Sequence, residues 1–369
     1  MSISNTSRVE ESAPAKKGPL RKLGQGILWV VVLCLLFEVG LRAFGYGSYV
    51  VYRPDERLLW VPTPGAHRVT EINHRPETIN SQGFRYRETL TPDHKGIYRM
   101  FAFGDSVTMG WGVDDDSTYS ARLEALLNSQ GCPGTKFQVV SAGVNAYPQA
   151  LAVERLKEVV EDDFHPDAVI LGFSFNTGFE GLPDLRGADR QKFLRRVELK
   201  SIARRIAIYN FLIEGVLRNL VYYRLREKLM LGTWDTAASA PNLPVSHYLK
   251  ELEEAKNVTQ AHHVQLIMIV FGTKGEFAPA HPYQKAMLEF AHANNVPIVN
   301  MMDVMKSQDQ DAMYTDDLVH PSPAGHALIA QQLAPLVRGL DSYAAACPNR
   351  PSNSALIAPT AAKSLTARP

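Results

Sequence analysis

A serine closes a short apolar run, Tyr98-Arg-Met-Phe-Ala-Phe-Gly104-Asp105-Ser106. Far downstream the chain reads Asp317-Leu-Val-His320. Serine is a weak nucleophile at its free pKa and needs a base beside it. An imidazole can take the hydroxyl proton on one ring nitrogen, and a carboxylate on the other nitrogen fixes the tautomer. A serine at a strand end, with a histidine and an acid far along the chain, is therefore the set that nucleophilic hydrolysis requires. Ser106 is the candidate nucleophile, His320 the base and Asp317 the orienting acid. Asp316 sits next to Asp317, and the sequence leaves open which of the two faces the ring. Taken singly, each residue has a structural alternative: Ser106 as a turn cap, Asp317 as a helix-cap acid, His320 as an ordinary loop histidine.

The elements that must position these residues alternate. Period-two or continuous apolar runs predict strands at 99–103, 137–141, 168–173, 265–271 and 297–300. Helical spacing predicts helices at 118–128, 148–161, 282–294 and 323–338. Such alternation argues an α/β fold, a mainly parallel sheet covered by helices on both faces. Functional residues then belong at the carboxyl ends of the strands, where Ser106 lies. Before this block, residues 47–97 carry scattered aromatics and prolines without helical period and read as an irregular or β-rich lead-in. Residues 180–260 interrupt the alternation with a basic, amphipathic helical insertion holding Arg195, Arg196, Lys200, Arg204 and Arg205 among apolar residues. Two readings of it stay open: a cap with solvated arginines, or a surface resting on anionic lipid headgroups. Residues 341–369, rich in Ala, Ser and Pro, are expected to be disordered.

Composition narrows the function classes. A net charge of +1 offers no electrostatic footprint for nucleic acid. Three cysteines without a Cys-x-x-Cys pair make a thiolate metal site or redox motif unexpected, and no compact ligand motif implies another metal or a cofactor. Cys347 falls in the tail expected to be disordered, so no disulfide with Cys132 is assigned.

The N-terminus suggests a membrane. Lys16, Lys17, Arg21 and Lys22 precede an apolar run at 27–37. The strict run has the length of a signal-peptide core, and 23–46 reaches spanning length only by accepting Glu38 and Arg42. Four residues apart on a helix, these two can pair. No small-x-small cleavage site follows, which favours an uncleaved anchor at 23–46, a cytoplasmic basic tail at 1–22 and the remainder in the periplasm.

Four blocks carry a family resemblance. Phe103-Gly-Asp-Ser-Val-Thr-Met-Gly-Trp-Gly, Ser141-Ala-Gly143-Val-Asn-Ala146-Tyr-Pro-Gln, Val169-Ile-Leu-Gly-Phe-Ser-Phe-Asn176 and Asp317-Leu-Val-His320-Pro-Ser-Pro-Ala-Gly-His resemble, in order, the blocks of SGNH or GDSL-type hydrolases. The segments Phe37-Glu38-Val-Gly-Leu-Arg42 and Asn80-Ser-Gln-Gly83-Phe-Arg-Tyr-Arg resemble membrane-anchored bacterial members. The resemblance implies a three-layer, flavodoxin-like fold at 98–340 and a serine esterase. It also implies an oxyanion hole from the N–H of Ser106, the N–H of Ala146 and the side chain of Asn176, with Gly143 as the alternative to Ala146. Ala146 stands where the family usually has glycine; alanine keeps the N–H but is unsuited to a positive φ. Thr177 stands where aspartate commonly follows the asparagine. Cell-envelope carbohydrate or lipid esters are the substrates expected of an anchored esterase. An O-acyltransferase with the same triad and a non-catalytic envelope-binding protein are the alternatives.

Overall fold

The computed structural model describes residues 19–47, 52–65, 67–69, 75–129, 132–176, 181–212, 243–315 and 318–348. Five parallel strands form the central sheet: β5 (Ile97–Phe103), β6 (Lys136–Ser141), β7 (Ala168–Gly172), β8 (Gln265–Val270) and β9 (Ile298–Asn300). Their order is β6-β5-β7-β8-β9. β5 and β7 are buried along nearly their whole length, as expected of strands covered on both faces. Two short antiparallel hairpins precede the sheet, β1 (Tyr52–Asp55) with β2 (Leu59–Pro62) and β3 (His67–Val69) with β4 (Pro76–Thr78).

Helices complete the layers. α1 (Pro19–Ala43) stands at the N-terminus, and the four-residue α2 (Ser106–Met109) follows β5. α3 (Tyr119–Ser129) covers one face of the sheet, and α4 (Gln149–Glu161) the other. α5 (Gly187–Arg204) and α6 (Ala207–Asn210) lie in the expected insertion. α7 (Val245–Ala261) packs on α4, and α8 (Pro282–Ala293) packs on α7. The short α9 (Met301–Met305) and α10 (Gln310–Met313) lead to α11 (Pro323–Arg338), which packs on α3, and α12 (Asp341–Ala346) follows.

Two sequence boundaries are corrected. α7 falls inside the span expected as an insertion, yet Tyr248, Leu252 and Ala255 are buried in the main core, so it is a layer helix of the α/β fold. The expected insertion at 213–242 lies outside the described residues. The chain also stays ordered past 341: Tyr343 of α12 stacks on Phe137, and Cys347 forms a disulfide with Cys132. Those two contacts hold a segment whose composition alone suggested a loose tail.

α1 is long and apolar enough to cross a membrane, and its aliphatic residues, Leu23 through Val39, are largely exposed. Glu38 and Arg42 pair at 2.6 Å, as their spacing suggested. They also grip the insertion. The Glu38 carboxylate accepts from the N–H groups of Ala207 and Ile208 at 2.8 and 2.9 Å, and Arg42 donates to the Arg205 carbonyl at 2.6 Å. The two charges are thus satisfied by the folded domain.

Candidate active site

The chain leaves β5 through Gly104, whose φ of +154° and contact with Thr108 exclude a side chain: a Cβ there would meet Thr108 Oγ1 at 2.3 Å. Asp105 then caps α2, its carboxylate accepting from the Val107 N–H at 3.0 Å. The turn puts Ser106 at the first position of α2, at the carboxyl end of β5. β6 and β7 flank β5 on opposite sides, and the chain passes from one to the other. This switch point opens the crevice that ligands of such sheets use.

His320 arrives from the other end of the chain. Its loop closes on itself through the Thr315 N–H to the His320 carbonyl at 2.9 Å and the Ser322 N–H to the Met313 carbonyl at 2.8 Å. Ser322 then caps α11. This places His320 Nε2 at 2.8 Å from Ser106 Oγ, and Trp111 packs against the imidazole with ring centroids 4.3 Å apart. Asp316 and Asp317 lie outside the described residues.

Asp105 joins the loops on both sides of the crevice. One carboxylate oxygen caps α2; the other accepts from the Phe175 N–H at 2.8 Å and from Asn176 Nδ2 at 3.1 Å. The group is buried, and burial pushes its pKa up to about 6 against the pull of these donors. Asn176 Nδ2 also donates to the Tyr147 carbonyl at 3.2 Å, so its amide faces Asp105 and Tyr147 together. Asp105 was legible only as part of a tripeptide; its role as a tie between the β5 and β7 loops needed the fold.

Ala146 and Gly143 separate clearly. Ala146 lines the cavity above Ser106 and has a φ of +64°, in the left-handed region. Gly143 lies against α2, where a Cβ would meet the Met109 N–H nitrogen at 2.4 Å. Neither the Ser106 nor the Ala146 N–H donates a hydrogen bond to another described residue.

Arg85, from the lead-in, is buried and fixes the far end of α2. It donates to the carbonyls of Met109, Gly110 and Val113 at 3.0, 2.6 and 2.8 Å, to Pro76, and to Asp115. The lead-in also supplies Trp60, whose indole N–H donates to the Asn145 carbonyl at 3.1 Å. Its ring packs edge-on against Tyr147. Sequence reading found no role for Arg85, Trp60 or Trp111; the lead-in's lack of period hid them.

Together these segments enclose a cavity of about 570 Å³ at Ser106, lined also by His320, Asn176, Trp111, Trp60 and Tyr52. Pockets of several hundred cubic ångströms take small organic ligands. α5 contributes one wall, including Arg196, Lys200 and Arg204. The i, i+4 spacing of these cations on a helix that also carries Phe193 and Val197 was the available sequence signal. Arg196 and Lys200 are solvent-exposed and Arg204 half-buried, and all three also border the site.

The chain's sequence matches the model of the GDSL-like lipase/acylhydrolase family over residues 102–328, more than half its length. No curated protein matches the sequence. Solved structures similar to the chain include a psychrotrophic esterase, EstA, from Pseudoalteromonas sp., at 12% identity and a TM-score of 0.41, covering 66% of this chain and 97% of that one. A lipase/acylhydrolase from Enterococcus faecalis is similar at 16% identity and a TM-score of 0.41, with 65% and 95% covered. A member of the lipolytic protein G-D-S-L family from Veillonella parvula is similar at 10% identity and a TM-score of 0.41, with 66% and 100% covered.

Proposed function

Because the chain belongs to the GDSL-like lipase/acylhydrolase family and is an ester-hydrolysing enzyme, we propose that Ser106 is its nucleophile, His320 its general base and Asp317 the acid that orients His320. The observation that carries this reading is the 2.8 Å approach of His320 Nε2 to Ser106 Oγ. Asp317 is assigned from its position three residues before the histidine.

The steps follow from the groups present. His320 accepts the Ser106 proton as Oγ attacks the ester carbonyl carbon. Negative charge gathers on the former carbonyl oxygen. The N–H groups of Ser106 and Ala146 are the donors for it, since they line the cavity without another described acceptor. Asn176 is the third donor, on condition that its amide relaxes its 3.2 Å bond to Tyr147. Collapse of the intermediate breaks the ester C–O bond, and His320 returns the proton to the leaving alcohol. Water, deprotonated by His320, then attacks the acyl-serine; the acyl–Oγ bond breaks, the acid leaves, and His320 returns the proton to Ser106 Oγ.

The reading extends to location. α1 serves as an uncleaved anchor, with the basic tail in the cytoplasm and the hydrolase domain outside. Two observations support it: Glu38 and Arg42 bind the α5–α6 junction, so the helix is part of the domain's structure. The Cys132–Cys347 disulfide suits an oxidising compartment. Acyl esters of the cell envelope are then the substrates within reach.

The test is a fluorophosphonate probe with a short-chain p-nitrophenyl ester. Wild type should be labelled and should hydrolyse the ester; Ser106→Ala should do neither while keeping its far-UV spectrum. Full activity in Ser106→Ala would sink the mechanism.

A further inference from the structure

The face that α5 turns to the cavity is Phe193, Arg196, Val197, Lys200, Ser201 and Arg204. Steps of three and four place these on one side of a helix. Arg196, Lys200 and Arg204 stand one turn apart and span about 12 Å along the wall. Like charges at this spacing weaken a helix. Among the described residues, Arg196 and Lys200 have no ion-pair partner, and no Asp or Glu lines the cavity. Arg204 is steadied by Asn210, to whose side-chain oxygen it donates at 3.4 Å. Beside the cations the wall is apolar: Trp60, Trp111, Leu182 and Phe193 face the same space as Ser106.

A site with a nucleophile on its floor, aromatic and aliphatic walls, and a row of cations in which Arg196 and Lys200 have no ion-pair partner among the described residues is built for an amphiphilic anion. The apolar walls suit an acyl chain, and the guanidinium groups suit a bidentate oxyanion. We propose that the preferred substrates are esters carrying a phosphate or carboxylate group, bound by Arg196, Lys200 and Arg204 while the ester carbonyl sits at Ser106. This rests on the reading of Ser106 as nucleophile. The row ends beside the anchor: the backbone carbonyl of Arg205, next to Arg204, accepts a hydrogen bond from the Arg42 guanidinium of α1. An anionic group can therefore reach it from a lipid headgroup or from a water-soluble ester.

The experiment compares two soluble p-nitrophenyl esters of equal acyl length on the full-length protein, the neutral pentanoate and the anionic hemiglutarate. A second arm compares fatty-acid release from phosphatidylglycerol and phosphatidylcholine vesicles. The expected result is a kcat/KM ratio of hemiglutarate to pentanoate of about tenfold, about 1.4 kcal/mol, falling toward one in Arg196→Gln/Lys200→Gln. The ratio should also fall in wild type as salt is raised. Preference in the soluble pair alone assigns the anion to soluble esters; preference in both arms assigns it to lipid. No anionic preference in either arm, or one that the double variant and high salt leave intact, overturns the proposal while hydrolysis itself stands. If wild type cleaves no ester at all, the nucleophile reading falls first and this one with it.

Discussion

Ala146 offers a direct measure of how the site is held. Its φ of +64° is a conformation in which the Cβ of an L-residue crowds the backbone, at a cost of roughly 1–2 kcal/mol. Glycine removes that crowding but gains freedom in the unfolded chain, which costs roughly 0.5–1 kcal/mol. Ala146 is exposed in the cavity wall, so losing its methyl forfeits little packing. Ala146→Gly should therefore stabilise the protein by about 0.5–1 kcal/mol, or about 2 °C in Tm. The N–H proposed to bind the oxyanion is kept, so kcat/KM on a p-nitrophenyl ester should stay within about threefold. Ala146→Val should move the other way, losing more than about 1 kcal/mol, because a β-branched residue fits a positive φ worst. Urea denaturation of the three proteins at one pH, with m-values compared, reads both effects. An Ala146→Gly protein less stable than wild type at unchanged m would refute the reasoning, since it would mean that the methyl supports the loop.

Arg85→Leu should cost about 3–5 kcal/mol, because it takes the buried cation away from its five acceptors and from the buried Glu77 carboxylate; a loss under 1 kcal/mol in urea denaturation would count against its role at the end of α2. The buried His326 accepts the Tyr119 N–H at 3.2 Å, and burial holds its pKa down to about 3. A depressed histidine contributes stability above its ordinary value that is lost as pH falls from about 6.5 toward 3, here up to about 5 kcal/mol. Asp105, raised to about 6, acts with the opposite sign: its contribution is lost as pH rises from about 4 to 6, by about 3 kcal/mol. His326→Asn keeps an acceptor for Tyr119 and should flatten the acid loss; parallel loss in variant and wild type at pH 4, 5.5 and 7 would exclude this account. Asp317→Asn should lower kcat steeply with little change in KM, whereas Asp316→Asn should do much less; the reverse pattern reassigns the orienting acid. An alkaline phosphatase joined after residue 60 should be active, and an inactive fusion would place the domain on the other side of the membrane.

Much of this molecule is legible in the chain. The five strands and the helices at 149–161, 282–293 and 323–338 lie within a residue or two of where apolar spacing puts them. Burial on both faces of a parallel sheet writes continuous apolar runs, and helices on its faces write a 3.6 period. Ser106 was readable because a glycine and an acid after an apolar strand mark a tight exit, and its partner because a histidine follows an aspartate before a proline-rich helix start. The same is true of the Glu38–Arg42 pair, which is local. What the tertiary structure decided is whatever depends on contacts between distant segments. Asp105 becomes a tie between two loops only when β5 and β7 lie side by side. Cys347 is held by a bridge to a residue far back in the chain, against the composition of the tail around it. Arg196, Lys200 and Arg204 of α5 border the cavity because β1, β2 and α5 pack together beside it, a placement with no periodicity to announce it. Ala146 reads as an ordinary alanine until the loop bends it to a positive φ: a sequence names the side chain, and the fold sets the backbone angle it must accept.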